Sequence, residues 1–277
     1  LSGLIIGFLL GLSNGFAIIT AQKFGAKNIA DMKKSFAMSL VIGTGISILF
    51  TIAGLLFLKP ILHFLNVPKH LVPVAKGYIA IIIAGLLATF LYDACAATLR
   101  AIGDAVTPLI ILAISVALNI VGDLFFVVVL KTGVKGAAIA TVLAQIIAFV
   151  ICWIYMIRKY EILRLQKEEF KDPSPIMVKE MISAGMSMGF MSSLVNIGTL
   201  TLQTAINKLG KDIIIAHTAA RKITEIFMIM FSVFGQTMAT YCGQNYGAGK
   251  PERIWLGIKA SGLMMIVYSA FSFLILM

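Results

Sequence analysis

The sequence predicts an all-α integral membrane protein: a two-lobed helical bundle of about eight transmembrane helices, built from parallel six-helix repeats. Three observations predict it. Of 277 residues, 60% are hydrophobic and only 13% charged, with a mean hydropathy of +0.99, outside the range of soluble domains. Uncharged apolar runs of spanning length recur along the chain. A Gln-x-x-Gly-Ala motif occurs twice, in "AQKFGAKN" (Ala21 to Asn28) and "GQNYGAGK" (Gly243 to Lys250), at an offset of 222 positions.

A hydrocarbon core of about 30 Å takes about 20 helical residues. The first span, Leu1 to Ala21, carries no charge and is too long, without a basic leader, for a signal-peptide core. The second (Ser35 to Leu58), fifth (Gly136 to Ile157) and sixth (Met181 to Asn207) are also uncharged. The third, Leu71 to Leu99, holds Lys76 and Asp93 near its ends, and the fourth, Ala105 to Leu130, is interrupted only by Asp123. The seventh, Ile213 to Cys242, carries Arg221, Lys222 and Glu225, and the eighth runs from Ile254 to Met277. Continuous apolar runs of this length fit helices rather than the alternating strands of a barrel.

Residues 158–179, between the fifth and sixth spans, form the longest charged stretch. With Pro173 and Pro175 they read as an inter-lobe linker, separating an N-terminal lobe (1–157) from a partial C-terminal lobe (180–277). Basic residues concentrate in the loops after spans one, three, five and seven, among them Lys23, Lys27, Lys33, Lys34, Arg158, Lys159, Arg164 and Lys250. These loops are therefore expected to be cytoplasmic. The net charge of +11 belongs to this topology and to anionic lipid headgroups, not to nucleic acid. Cys95, Cys152 and Cys242 are isolated and read as packing residues.

In the repeat, Ala17 aligns with Ala239, Gln22 with Gln244, Gly25 with Gly247 and Ala26 with Ala248. Span seven then corresponds to span one, so the unit is six helices and both copies cross the membrane in the same sense. Two complete units would add one helix before Leu1 and four after Met277. Gly25 and Gly247 are expected to end helices through positive φ, with Gln22 and Gln244 satisfying loose carbonyls. A conformational role shared by both lobes, or contact with cargo, are the alternatives.

Asp123 is the leading candidate for chemistry, because a carboxylate within a span costs about 2.5–3.5 kcal/mol on insertion scales and needs a partner or an aqueous cavity. Asn119 lies one helical turn before it on the same face, making an oxygen-rich pair suited to a proton or a hard cation. Asp93 and Asp104 flank Arg100 and suggest a salt-bridge network. Glu225 reads as an ion pair with Arg221 and Lys222, or as a cargo or cation site in the second lobe. Asn196, Gln203 and Gln236 either line a cavity or stitch helices together. Met181, Met186, Met188, Met191, Met228, Met230 and Met238 offer a plastic wall for varied apolar cations, or lipid-facing filler.

The two Gln-x-x-Gly-Ala loops, "TLRAIGDAVTP" (Thr98 to Pro108), "LNIVGD" (Leu118 to Asp123) and "GVKGAAIATVLAQ" (Gly133 to Gln145) together resemble the multidrug and toxic compound extrusion (MATE) transporters of prokaryotic type, throughout the chain. The resemblance implies a twelve-helix exporter of two six-helix lobes facing a central cavity, alternating between outward and inward openings and driven by sodium or proton entry. This chain would cover the second to roughly the ninth helix. It also implies that Asn119 and Asp123 act with Tyr78 and Thr141, which match a family Tyr and Thr, and with an Asp on the first family helix, which has no counterpart here.

The expected function is secondary antiport of small amphipathic or cationic compounds by a multi-pass protein of the cell membrane, monomeric when complete. No cofactor and no tightly bound metal is expected, with sodium at Asp123 or a proton as the coupling ion. A lipid-linked oligosaccharide flippase of the same superfamily, and more remotely a non-transporting scaffold, are the alternatives. His63, His70 and His217 are scattered and no HExxH, GxSxG or Walker-type motif occurs, so an enzyme or an ATP-driven pump is not the expectation.

Overall fold

The computed structural model describes residues 2–64, 72–206 and 210–276, without the side chains at 64, 200, 203, 204, 211, 212 and 276. Its α-helices are α1 (Ser2–Gly25), α2 (Ile29–Leu56), α3 (Leu58–Phe64), α4 (Val72–Ala84), α5 (Leu86–Ala101), α6 (Val106–Asp123), α7 (Val134–Lys159), α8 (Pro175–Ile206), α9 (Lys211–Gly247) and α10 (Pro251–Leu276). Among the described residues, six helices are long and apolar enough to cross a membrane, and the bent pair α4–α5 makes a seventh. The protein is a multi-pass membrane protein. The expected sixth span lies in α8, whose 32 residues reach about 48 Å at 1.5 Å per residue, although its Ser, Thr, Gly and Asn content leaves it less apolar. The expected start of span three at Leu71 and end of span six at Asn207 lie outside the described residues.

Span three is not one straight helix. α4 and α5 bend by 42° at Gly85, where a Cβ would run into the Val142 side chain of α7. Glycine lets α7 approach at the kink. The expected fourth span also changes character: α6 stops at Asp123 and continues as a π-helical turn, Leu124–Val129, in which the Leu130 N–H reaches back five residues to the Phe125 carbonyl at 2.9 Å.

α1 is the axis of the molecule, packed by α2 and α5 of its own lobe and by α8 and α9 of the other. Helices in lipid gain little from hydrophobic transfer, so close packing of small residues must hold them. Gly11 and Gly15 of α1 accordingly lie against the backbone around Met188–Gly189 and Ala184–Gly185 of α8. Leu12 and Phe16 of α1 pack over Gly185 of α8 and, with Leu9, belong to a core that includes Phe90 of α5, whose ring occupies the space a side chain at Gly43 of α2 would need.

The repeat is visible in the backbone. Ala26, Lys27 and Asn28 donate to Gln22, Phe24 and Lys23; Ala248, Gly249 and Lys250 donate to Gln244, Tyr246 and Asn245, all at 2.9–3.0 Å. These pairs are equivalent at the 222 offset. The residues with positive φ are Lys27 (58°) and Gly249 (66°), also equivalent, and they close each helix by a left-handed turn. This corrects the expectation for Gly25 and Gly247, which remain helical and serve close approach instead.

The linker docks on the N-terminal lobe. Two short 3-10 turns, Glu161–Leu163 and Lys167–Phe170, follow α7; Leu163 is fully buried and Glu169 pairs with Lys33 of α2 at 3.8 Å. Pro175 then opens α8, where its missing N–H costs no helical bond.

Candidate functional site

α6 and α7 pack side by side, and polar groups mark their seam. The Ser115 hydroxyl donates to the Ala144 carbonyl at 3.2 Å. One turn on, the Asn119 amide nitrogen donates to the Thr141 hydroxyl at 3.2 Å, and that hydroxyl donates to the Ala137 carbonyl at 3.0 Å. At the next level Gly122 abuts Ala140 so closely that a Cβ would lie 2.9 Å from the alanine methyl. The small residue brings the helices together where Asp123 ends α6.

Asp123 Oδ1 is buried and has no hydrogen-bond partner among the described residues. Because Asn119 spends its N–H on Thr141, its own oxygen remains free to accept. Thr141 sits beside it, and Gln145, one turn further along α7, also has a buried side-chain oxygen without a partner among the described residues. The site therefore offers carboxylate, amide and hydroxyl oxygens, the donors that suit a proton or a hard cation such as sodium. Tyr78 lies half-buried on α4, a helix packed against α7; no hydrogen bond among the described residues joins it to the other three. Gln145 closes the quoted motif "GVKGAAIATVLAQ" but was not singled out in the sequence; it lies beside Ala144, at the Ser115 level of the seam, on the other side of the Asn119–Thr141 bridge from Asp123. Its i+4 spacing from Thr141 was the available signal.

Between α1, α8, α9 and α10 lies a groove of about 620 Å³, lined by Asn14, Met188, Met191, Ser192, Gln236 and Met238 among others. Asn14 and Gln236 stand at the repeat offset, so the same position of each copy faces this space. Gln236 donates weakly to Ser232 at 3.4 Å. Asn196 does not line the groove: it donates to the Ser192 carbonyl at 2.9 Å and fills the space over Gly7 of α1. The side chain of Gln203 lies outside the described residues. Glu225 accepts from Arg221 at 2.9 Å and Lys222 at 3.2 Å on its own helix.

The salt-bridge network expected among Asp93, Arg100 and Asp104 does not close: no ion pair among the described residues joins the three, although Asp93 and Arg100 lie near enough for their charges to interact. Arg100 donates to Asn14 of α1 at 3.1 Å. Asp104 instead accepts from Thr107 N–H at 3.0 Å, Thr107 hydroxyl at 2.8 Å and Tyr160 hydroxyl at 2.7 Å, and pairs with Lys159 at 3.8 Å. Burial alone would raise its pKa, but those hydrogen bonds and the Lys159 charge outweigh burial and hold the carboxyl below its ordinary value. Long-range packing, which puts the N-terminus of α6 beside the end of α7, made this choice. Asp104 thus ties the start of α6 to the start of the linker.

This architecture, a helical membrane bundle of repeated lobes, is that of the MATE class. The chain belongs to the MatE family, whose model matches residues 1–125 and 187–277. Among relatives, it is 31% identical over 254 residues to the probable multidrug resistance protein YpnP of Bacillus subtilis, covering 90% of this chain and 56% of that protein. It is 25% identical to YoeA, another probable multidrug resistance protein of that organism, over 99% of this chain and 62% of that one. In fold it superimposes with a TM-score of 0.87 and 21% identity on the outward-facing conformation of a multidrug resistance MATE family transporter, covering 96% of this chain and 59% of that structure. The chain thus spans somewhat over half the length of the relatives it matches.

Proposed function

We propose that the protein exports small amphipathic or cationic compounds, exchanging them for sodium or protons by alternating access. The observation that carries this reading is Asp123: a carboxylate oxygen buried in a membrane-spanning segment without a partner among the described residues, one turn from the Asn119–Thr141 bridge. Asn119, Asp123 and Thr141 would hold the ion, with Gln145 and Tyr78 at the margins of the site. Occupancy by a proton or sodium satisfies the orphan oxygen and changes packing along α6 and α7, biasing the lobe between two arrangements. Cargo takes the groove of Asn14 and Gln236, where the flexible thioethers of Met188, Met191 and Met238 adapt to varied apolar shapes.

The multidrug resistance names of YpnP and YoeA support the cargo class. Dye efflux from cells or proteoliposomes, with and without ionophores that collapse the sodium or proton gradient, tests the proposal. Gradient-dependent efflux is expected. Gradient-independent behaviour, or translocation of a polyprenyl-linked glycan in its place, would overturn it.

A further inference from the structure

We propose that Gln244, together with the crossing of Gly25 over Gly247, is a latch that holds the cytoplasmic ends of the two lobes shut and is released when the protein opens inward. The proposal rests on the transporter reading above, and on the orientation set by the basic loops, and it names the contact that this reading must break.

The two motif copies do more than resemble each other: they touch. Gly25 of α1 lies against the backbone carbonyl of Gln244, and Gly247 of α9 lies against that of Gln22; a Cβ on either glycine would overlap the facing oxygen. The contact is reciprocal, as a two-fold relation between repeats requires. Each of those carbonyls already accepts its own helical bond, from Ala26 and Ala248, so the crossing adds only Cα–H contacts of modest strength.

The directional bond comes from a side chain. Gln244 Nε2 donates to the carbonyl of Ala101 at 2.7 Å, and Ala101 is fully buried at the last turn of α5. Carbonyls at a helix C-terminus lack an intrahelical donor, so a residue of the second lobe supplies what the first lobe's helix end needs. Sequence reasoning expected these glutamines to satisfy carbonyls, but placed them at the ends of their own helices.

Two properties suit this contact to reversible closure. Glycine surfaces separate without large side chains having to disengage. At the membrane edge, water replaces the lost hydrogen bond, so breaking it costs only the usual net worth, equivalent to a roughly 2- to 12-fold change in population. Lys27 directly follows the first copy and Lys250 follows the second after Gly249, keeping the crossing on the basic side.

The test reads opening rather than transport. Ala21, fully buried one turn deeper and packed near Gly243, becomes a reporter as Ala21→Cys in a Cys242→Ala background, labelled by a membrane-impermeant maleimide in inverted vesicles. Gln244→Leu and Gln244→Glu, neither able to donate, should each raise the labelling rate by about 2- to 12-fold. Gly247→Ala, which wedges the crossing apart, should raise it independently. Unchanged labelling in all three, with thermal stability retained, would overturn the latch. Faster labelling in these variants, combined with no efflux from the unmodified protein, would uphold the latch and sink the transport reading alone.

Discussion

Asn119 on α6 and Thr141 on α7 are joined by a 3.2 Å hydrogen bond that makes the two helices one unit beside Asp123. Because the Thr141 hydroxyl donates a hydrogen bond to the Ala137 carbonyl, it both accepts and donates. A double-mutant cycle with Asn119→Ala and Thr141→Ala, read by thermal unfolding in detergent, should give a coupling of about 0.6 kcal/mol, typical of such bonds between membrane helices. Thr141→Ser should keep it and Thr141→Val lose it. A coupling of zero would show that the pair contributes nothing to the seam.

The bend at Gly85 yields a second expectation. Gly85→Leu places a side chain where Val142 stands, and overpacking of this kind costs about 1–3 kcal/mol. The melting temperature should fall, and Val142→Ala in the same chain should recover part of the loss. No recovery would mean that the bend has another cause.

Asp104 sets a pH dependence outside the membrane. Its carboxyl is held below the ordinary value in the folded protein, so its contribution to stability is complete above the unfolded value of about 3.9 and is lost as pH falls through the lower folded value. Unfolding midpoints should show no pH dependence from this group between about pH 5 and 8, where its contribution is fully present, and a decline only in stronger acid. Asp104→Ala should lower stability by about 1 kcal/mol at neutral pH, the usual worth of a side chain that caps a helix start, and remove this part of the acid sensitivity. An Ala variant as stable as the parent at neutral pH would contradict the assignment.

Local signals and distant contacts divide what could be read in the sequence. Hydropathy located the spans because lipid demands apolar runs of fixed length, and the repeat was legible because both copies must build the same turn, down to the equivalent Lys27 and Gly249. Asp123 and Asn119 stood out because a polar pair inside an apolar run has no cheap local explanation. The Gly85 bend was hidden because it answers to Val142, far along the chain, and the π-helical turn after Asp123 has no composition of its own. Arg100 finds Asn14, and Gln244 finds Ala101, across 86 and 143 positions. Nothing in either local sequence names the other member.

Glu225 provides a contrast with Asp123. Its partners, Arg221 and Lys222, lie on the same helix, and the side chains of Arg221, Lys222 and Glu225 are 32%, 76% and 45% exposed, so solvent screens the pairs and they add little to stability. Glu225→Gln should leave both the melting temperature and efflux essentially unchanged. Loss of efflux with stability intact would make Glu225 a cargo or cation residue.

The central claim is that Asp123 couples ion entry to export, and one measurement bears on it directly: gradient-driven dye efflux by Asp123→Asn in proteoliposomes, beside dye binding by the same protein. Asn avoids the cost of an intramembrane carboxylate, about 2.5–3.5 kcal/mol on insertion scales, so insertion and binding should persist. Efflux should fall to the background of empty liposomes under either a sodium or a proton gradient. Full gradient-driven efflux by Asp123→Asn would contradict the account.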